Sequence, residues 1–195
     1  MYDDEPGALG FVPVDGRGSL PYALVHGESL VAAASWALTT AGVELLDWGV
    51  GAEAVRESGR VLVVHDPLCP LTPVEFLEAA VAECERTGAV VVGVRPVTDT
   101  VKEHAVAPEG PDVLGATVDR DALMCVVSPL VVPSGVVTVL EELGVADLAQ
   151  TVAALVRRVP VRYLPAPALA RRVTGPEDLA VLEALSSALR TDQLG

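Results

Sequence analysis

The residues of this chain that are equipped for chemistry fall at the ends of apolar runs. Gly16-Arg17-Gly18 follows the stretch from Leu9 to Val14. Glycines at that spacing let backbone N–H groups approach a phosphate, and they equally make a plain turn. Asp66 closes the run from Arg60 to His65, where a carboxylate is placed for a site or caps the turn that follows. His65 reads as a packed residue at the strand end. Asp99-Thr100 with Lys102 groups a carboxylate, a hydroxyl and the only lysine of the chain. An enzyme that relies on an ammonium to handle phosphate therefore has one candidate. Arg120 lies between Asp119 and Asp121, and either binds an anion or pairs with them on the surface.

The elements that must position these groups follow from periodicity. Leu9 to Val14 reads as a strand and Asp15 to Ser19 as the loop after it. Ser29 to Ala41 reads as a helix with Leu30, Ala33, Ala34, Ala37 and Leu38 on one stripe. Val43 to Leu46 is a short strand. Arg60 to His65 is apolar enough to be covered on both faces. Thr72-Pro73-Val74-Glu75 predicts a helix start with Thr72 as cap and Glu75 closing a capping box. That helix runs to about Arg86 and stops at Gly88. Strands follow at Ala89 to Val94, Leu123 to Val127 and Val161 to Leu164. Helices are expected at Val136 to Leu143 and Ala146 to Arg158, broken at Gly144. Thr174-Gly175-Pro176-Glu177 repeats the capping box and launches a last helix to about Leu189. Strands alternating with helices predict a single α/β domain over 1–195 with a mainly parallel, doubly wound sheet. Ligands bind such sheets at the carboxyl ends of the strands. Asp15 to Leu20, Asp66 to Pro70 and Val97 to Lys102 then share one crevice. The polar stretch from Glu103 to Gly115 reads as an excursion away from the core.

Composition narrows the function. The chain has 195 residues, 13 Lys+Arg against 27 Asp+Glu and a formal charge of -14. No basic cluster is present, so nucleic acid and anionic membranes are excluded as expected partners. No apolar run spans a bilayer, the first residues carry no basic signal start, and the 3 cysteines (Cys69, Cys84, Cys125) read as reduced thiols. A cytoplasmic location is the expectation. Cys69 and Cys125 read as small core residues, and Trp36 and Trp48 as packing.

Four segments, in order, resemble the methylerythritol phosphate cytidylyltransferases. Val64-His65-Asp66-Pro67-Leu68-Cys69-Pro70 resembles V-H-D-A-A-R-P. Pro96-Val97-Thr98-Asp99-Thr100-Val101-Lys102 resembles P-V-x-D-T-[IM]-K. Thr117-Val118-Asp119-Arg120, with Ser128-Pro129 further on, resembles T-V-D-R followed by T-P-Q. Arg172-Val173-Thr174-Gly175-Pro176-Glu177-Asp178-Leu179-Ala180 resembles N-I-K-V-T-x-P-E-D-L-A. The resemblance implies a nucleotidyltransferase-type sheet with a protruding arm at about 103–115, and a homodimer in which each arm crosses to the partner. It implies cytidylyl transfer from CTP to a sugar-alcohol phosphate in isoprenoid precursor synthesis, with Mg²⁺. It places Asp66, Thr100 and Arg120 at the second substrate, Gly16, Arg17 and Gly18 at the nucleotide, and Arg172 in place of a substrate-binding lysine. Mg²⁺ is expected at Asp66 or Asp15.

The chain also departs from that pattern. Its glycine loop is short, Tyr22 stands where the family has a lysine, and Cys69 replaces the arginine of H-D-x-x-R-P. Asp15 adds a negative charge where a small neutral residue is usual. Between the first helix and Asp66, Gly49 to Arg56 gives only a weak echo of the base-reading segment. Three readings result. One is a divergent cytidylyltransferase. Another is a catalytically inactive pseudo-enzyme that binds a phosphate ligand or nucleotide. A third is a partner subunit in mixed dimers.

Overall fold

Alternation along the apolar strands decides how this chain layers. The structure, a computed structural model, describes residues 7–46, 50–105 and 113–192. In chain order its elements are β1 (Leu9–Phe11), β2 (Leu24–Val25), β3 (Glu28–Ser29), α1 (Leu30–Thr40), β4 (Glu44–Leu45), α2 (Ala52–Ser58) and β5 (Leu62–Val64). Next come α3 (Val74–Thr87), β6 (Val90–Pro96), β7 (Val101–Ala105), β8 (Val113–Val118) and β9 (Met124–Val132). The chain continues through α4 (Val137–Leu143), α5 (Leu148–Leu155), β10 (Val161–Pro165) and α6 (Glu177–Asp192).

Successive strand residues point to opposite faces. Leu62, Val64, Val90, Val92, Leu130 and Val132 face one way and pack against α2, α4 and α5 through Val55, Leu140, Val152 and Leu155. Val63, Val91 and Val131 face the other way, onto Leu38 of α1 and Leu77, Ala80 and Cys84 of α3. Both faces are thus covered, which is why these strands read as unbroken apolar runs.

The six-stranded sheet has the order β10-β6-β9-β5-β1-β4. Every pairing is parallel except those of β9, which is antiparallel to β5 and β6. From β1 the chain moves outward to β4, then returns to β5 and continues to the other side. Strand order therefore reverses between β1 and β5, the position where open α/β sheets bind ligands. Where Ser128-Pro129 crosses β6, the ladder shifts between Val92 and Gly93. A Cβ on Gly93 would lie 2.8 Å from the Ser128 carbonyl oxygen, so only glycine fits there.

Several expectations are refined. Thr72 does not cap α3. Its hydroxyl donates to the Cys69 carbonyl at 2.8 Å, and Pro73 is the cap residue. Gly88 ends the helix in the left-handed region, as the sequence predicts. The box at Thr174 closes on Asp178 rather than Glu177: the Thr174 backbone N–H and hydroxyl both donate to Asp178 Oδ2. α5 begins at Leu148 because Asp147 accepts from the N–H groups of Ala149 and Gln150. The helix α2 is absent from the sequence-based reading. Only Ala52 and Val55 are buried in this seven-residue helix, too few to show a period. Cys69 and Cys84 are buried, but Cys125 is exposed, because the start of β9 runs out beyond the helical layers. Trp36 is 67% exposed on α1 rather than packed. Trp48 lies outside the described residues, as does the centre of the expected arm. The described flanks of that arm, β7 and β8, form an antiparallel two-stranded ribbon.

Candidate active site at the carboxyl ends of β1 and β5

The loop after β1 turns through Gly16 and Gly18, both with positive φ. A Cβ on Gly16 would meet Ala146 Cβ at 2.9 Å, so glycine lets the loop lie against the turn between α4 and α5. Between the two glycines, the Arg17 side chain points inward and is 1% exposed. Its Nε donates to Asp66 Oδ1 at 2.8 Å, its Nη1 to the Asp15 carbonyl at 2.7 Å and its Nη2 to the Val145 carbonyl at 3.1 Å. One guanidinium thus joins the end of β1, the end of β5 and the α4–α5 turn.

Asp66 is buried and its bonding is dense. The Leu68 N–H donates to Oδ1 at 3.0 Å, and Arg172 Nε donates to Oδ2 at 3.0 Å. Its own N–H donates to Ser128 Oγ at 3.0 Å. Burial pushes the Asp66 carboxyl up. The charge and hydrogen bond of Arg17, with the Leu68 N–H and Arg172, outweigh burial and hold it below the usual carboxylate range. Arg172 is brought here by the segment before α6, where the Val173 N–H donates to the Leu68 carbonyl at 2.7 Å. Val173 itself packs with Leu30, Leu68 and Leu182. The Arg172 side chain is 39% exposed.

His65 is wholly buried and pairs through Nδ1 with Ser128 Oγ. Its Nε2 meets no partner among the described residues. Burial holds its pKa down to about 4, against a small upward pull from Asp66, so the ring is neutral near pH 7. The Cys69 thiol is pushed up to about 12 by burial and by the Asp66 charge. It is inert as a nucleophile near neutrality.

The structure therefore brings Gly16, Arg17, Gly18, Asp66 and Arg172 together, and it does not bring Thr100 and Arg120 to them. Thr100 is exposed in the turn before β7, and Arg120, also exposed, donates through Nη1 to the Thr98 carbonyl at 2.6 Å. Both sit at the base of the ribbon. From Ser128, beside Asp66, the chain runs back through β9 to Met124, about 13 Å of strand, before that base is reached. Lys102 is engaged within the ribbon, donating to Thr117 Oγ1 at 2.7 Å. Tyr22 is exposed near the glycine loop.

Sequence reasoning misses Ser128 and the Val145 carbonyl as parts of the centre. Ser128-Pro129 does lie in a matched segment, and that is the available signal. An apolar cavity of about 350 Å³ lies behind the glycine loop, with Phe11, Leu46, Val55, Leu62, Leu140 and Val145 among its walls.

Asp66 does not fit the metal role expected of it. Both of its oxygens accept from guanidinium groups, and two cations at hydrogen-bond distance repel a third. No cluster of three or more His, Cys, Asp or Glu side chains suited to a metal occurs among the described residues. The exposed Asp15 is one carboxylate beside the loop, and Mg²⁺ bound by a single carboxylate depends on substrate phosphates for its other anionic ligands.

An open sheet with a glycine loop after β1 and a carboxylate–arginine cluster after β5 at the strand-order reversal defines a nucleotidyltransferase-type fold. Comparison with known proteins gives the family. Residues 45–187 match the family described as IspD, 2-C-methyl-D-erythritol 4-phosphate cytidylyltransferase. The chain belongs to this family. Among curated relatives, the 2-C-methyl-D-erythritol 4-phosphate cytidylyltransferase of Frankia casuarinae is 38% identical over 135 residues, covering 68% of this chain and 48% of that protein. The protein of the same name from Streptomyces coelicolor is 34% identical over 145 residues, covering 70% and 52%. The chain thus spans about half the length of these relatives. The solved structure of the Thermus thermophilus cytidylyltransferase superposes with a TM-score of 0.67 at 24% identity, over 92% of this chain and 98% of that one. At that identity the likeness speaks for the fold. No described helix is long and apolar enough to cross a membrane.

Proposed function

We propose that this chain transfers a cytidylyl group from CTP to 2-C-methyl-D-erythritol 4-phosphate in the crevice between β1 and β5. The observation that carries this reading is Arg172. It stands at the strand-order reversal, bonded to Asp66 through Nε alone, its two terminal nitrogens left over from that bond. In the transfer, an oxygen of the acceptor phosphate forms a bond to the α-phosphorus of CTP, and the bond to pyrophosphate breaks. Such chemistry is positioning plus charge neutralisation. Arg172 binds the acceptor phosphate, and the Gly16–Gly18 loop faces the nucleotide. Thr100 and Arg120 act from the arm of a second copy. The support for that homodimer is the ribbon and its base: Val113 and Leu114 of β8 are exposed, as is Met124 at the start of β9, and a lone two-stranded ribbon is marginal in water. Enzymes of this class generally use a divalent metal, but no step is assigned to one at Asp66. The setting is taken to be the cytoplasm. The test is pyrophosphate release in the presence of CTP, the sugar phosphate and Mg²⁺, with a family enzyme as control. Release that requires both substrates supports the reading, and no release under conditions where the control turns over overturns it.

Three observations favour a second reading, that of an inactive binding or partner subunit. Arg17 is consumed by Asp66, Asp15 and Val145, Lys102 is engaged in the ribbon, and Tyr22 stands at the family lysine position. Losing one preorganised donor to developing charge costs roughly 3–4 kcal/mol in a transition state. Ligand binding with no turnover identifies this alternative.

A further inference from the structure

We propose that His26 is a positioning residue: from the turn between β2 and β3 it holds α6, and through α6 it steadies the segment that carries Arg172. This deepens the transferase reading and rests on it for the identity of the ligand that Arg172 receives. The backbone gives the first indication. His26 has φ 52°, and among the described residues no other non-glycine residue has a positive φ. With Gly27 at φ 86° it joins β2 to β3 in the register Leu24↔Ser29 and Val25↔Glu28. Turns made of two left-handed residues favour Asn, Asp or Gly at the first position. A bulkier side chain there costs free energy and persists where its surroundings hold it. The His26 side chain is held by α6. Its Nε2 lies 2.8 Å from Ser186 Oγ, across 160 residues of sequence. The Ser186 hydroxyl proton goes to the Leu182 carbonyl at 2.8 Å, so its oxygen accepts from the His26 Nε2–H. The His26 backbone N–H approaches Glu183 Oε1 at 3.4 Å. Glu183 and Ser186 are three residues apart and share one face of α6.

What lies beneath that contact connects it to the site. Val25 of the hairpin packs in a small cluster with Leu30, Leu68, Val173, Leu179 and Leu182, apart from the two layers that cover the sheet. Val173 follows Arg172, and its N–H donates to the Leu68 carbonyl at 2.7 Å. The seat of Arg172 therefore depends on how firmly the start of α6 lies on Leu68, and the hairpin holds the same helix further along. The hairpin is itself rooted at the site. Residues 19–23 join it to Gly18, and the Leu30 N–H donates to the Ala23 carbonyl at 3.1 Å where it enters α1. One exposed turn thus ties the glycine loop to the helix behind Arg172.

The experiment compares the whole parent chain with His26→Gly and Ser186→Ala. Each substitution suits its own element, since glycine relieves the positive φ and alanine is the better helix former. A loss in either variant then comes from the broken contact and not from a damaged turn or helix. Hydrogen exchange of the Val173 amide, followed by NMR, should quicken about 2- to 10-fold in both variants, the range of one modest hydrogen bond. The affinity for 2-C-methyl-D-erythritol 4-phosphate, measured by calorimetry, should fall with it, while kcat and the KM for CTP stay near the parent values. The double variant should lose no more than either single one, because both remove the same contact. Val173 exchange at the parent rate overturns the proposal, and so do losses that add in the double variant. Faster exchange with unchanged affinity also overturns it, because the hairpin then supports the fold and not the ligand. Sugar-phosphate binding without turnover in the parent retires the transferase reading and leaves this test intact. Turnover in the parent, with exchange and affinity untouched by His26→Gly, does the reverse. A parent that binds no sugar phosphate overturns both.

Discussion

The centre at Asp66 and the base of the ribbon both carry family motifs, yet they are built in opposite ways. Around Asp66, one buried carboxylate receives two guanidiniums and a backbone N–H, and its neighbour His65 is locked to Ser128. At the ribbon base, Arg120 is exposed and its side chain reaches only the Thr98 carbonyl among the described residues. The first region is completed within this chain and contributes to its stability. The second contributes little to folding and is available for a ligand or another chain. A motif in sequence does not distinguish these cases, but the density of bonds around each side chain does.

The sharpest way to break the comparison is Asp66→Ala. It leaves Arg17 buried with its partner removed, and loss of one member of a buried pair costs about 3–5 kcal/mol. A fall in the urea midpoint with unchanged slope is the expected result, and a change below about 1 kcal/mol would mean the pair behaves as a surface bridge.

Acid should act on the same region. The His65 pKa falls from 6.5 to about 4 on folding. Between these values the unfolded chain takes up a proton that the native chain refuses, so stability is full above pH 6.5 and declines as pH falls toward 4. The loss from this group is about 3 kcal/mol. Asp66, with its pKa lowered, adds a further loss at still lower pH as it protonates. Urea titrations from about pH 7.5 to about pH 4 check the first window, and His65→Gln should flatten it.

Gly93→Ala tests the seam between β6 and β9. The Ser128 carbonyl must move to admit the methyl group, with a cost of about 1–3 kcal/mol. That movement also shifts Ser128 Oγ, so the Asp66 amide proton should exchange faster with solvent.

The smallest effect belongs to the ribbon base. Arg120→Ala should change stability by no more than about 0.5 kcal/mol, measured by the same urea titration. A loss as large as that of Asp66→Ala would remove the contrast between the two regions.

Much of the fold was legible because local chemistry and tertiary packing agree. The run Leu62-Val63-Val64 reads as a doubly covered strand and is one. Gly88 stops a helix because it adopts the left-handed conformation. Where they disagree, a single-residue rule fails. Thr72 is a good cap by type, but the turn above it offers the Cys69 carbonyl to its hydroxyl. α2 was not legible because its stability comes from packing on α4 rather than from its own pattern.

The sequence by itself determined the alternation of elements, the motif order and the family, because these depend on residue types and on spacing along the chain. It also located Arg17, Asp66 and Arg172 as charged groups at the ends of elements. Only the tertiary structure decided what they do to one another. Residues 17, 66 and 172 are far apart in sequence, and their meeting depends on β1 lying beside β5 and on the segment before α6 packing over Leu68. Whether a guanidinium faces solvent or is sealed under a loop follows from that packing, since burial and the partners in reach set the balance between desolvation and charge pairing.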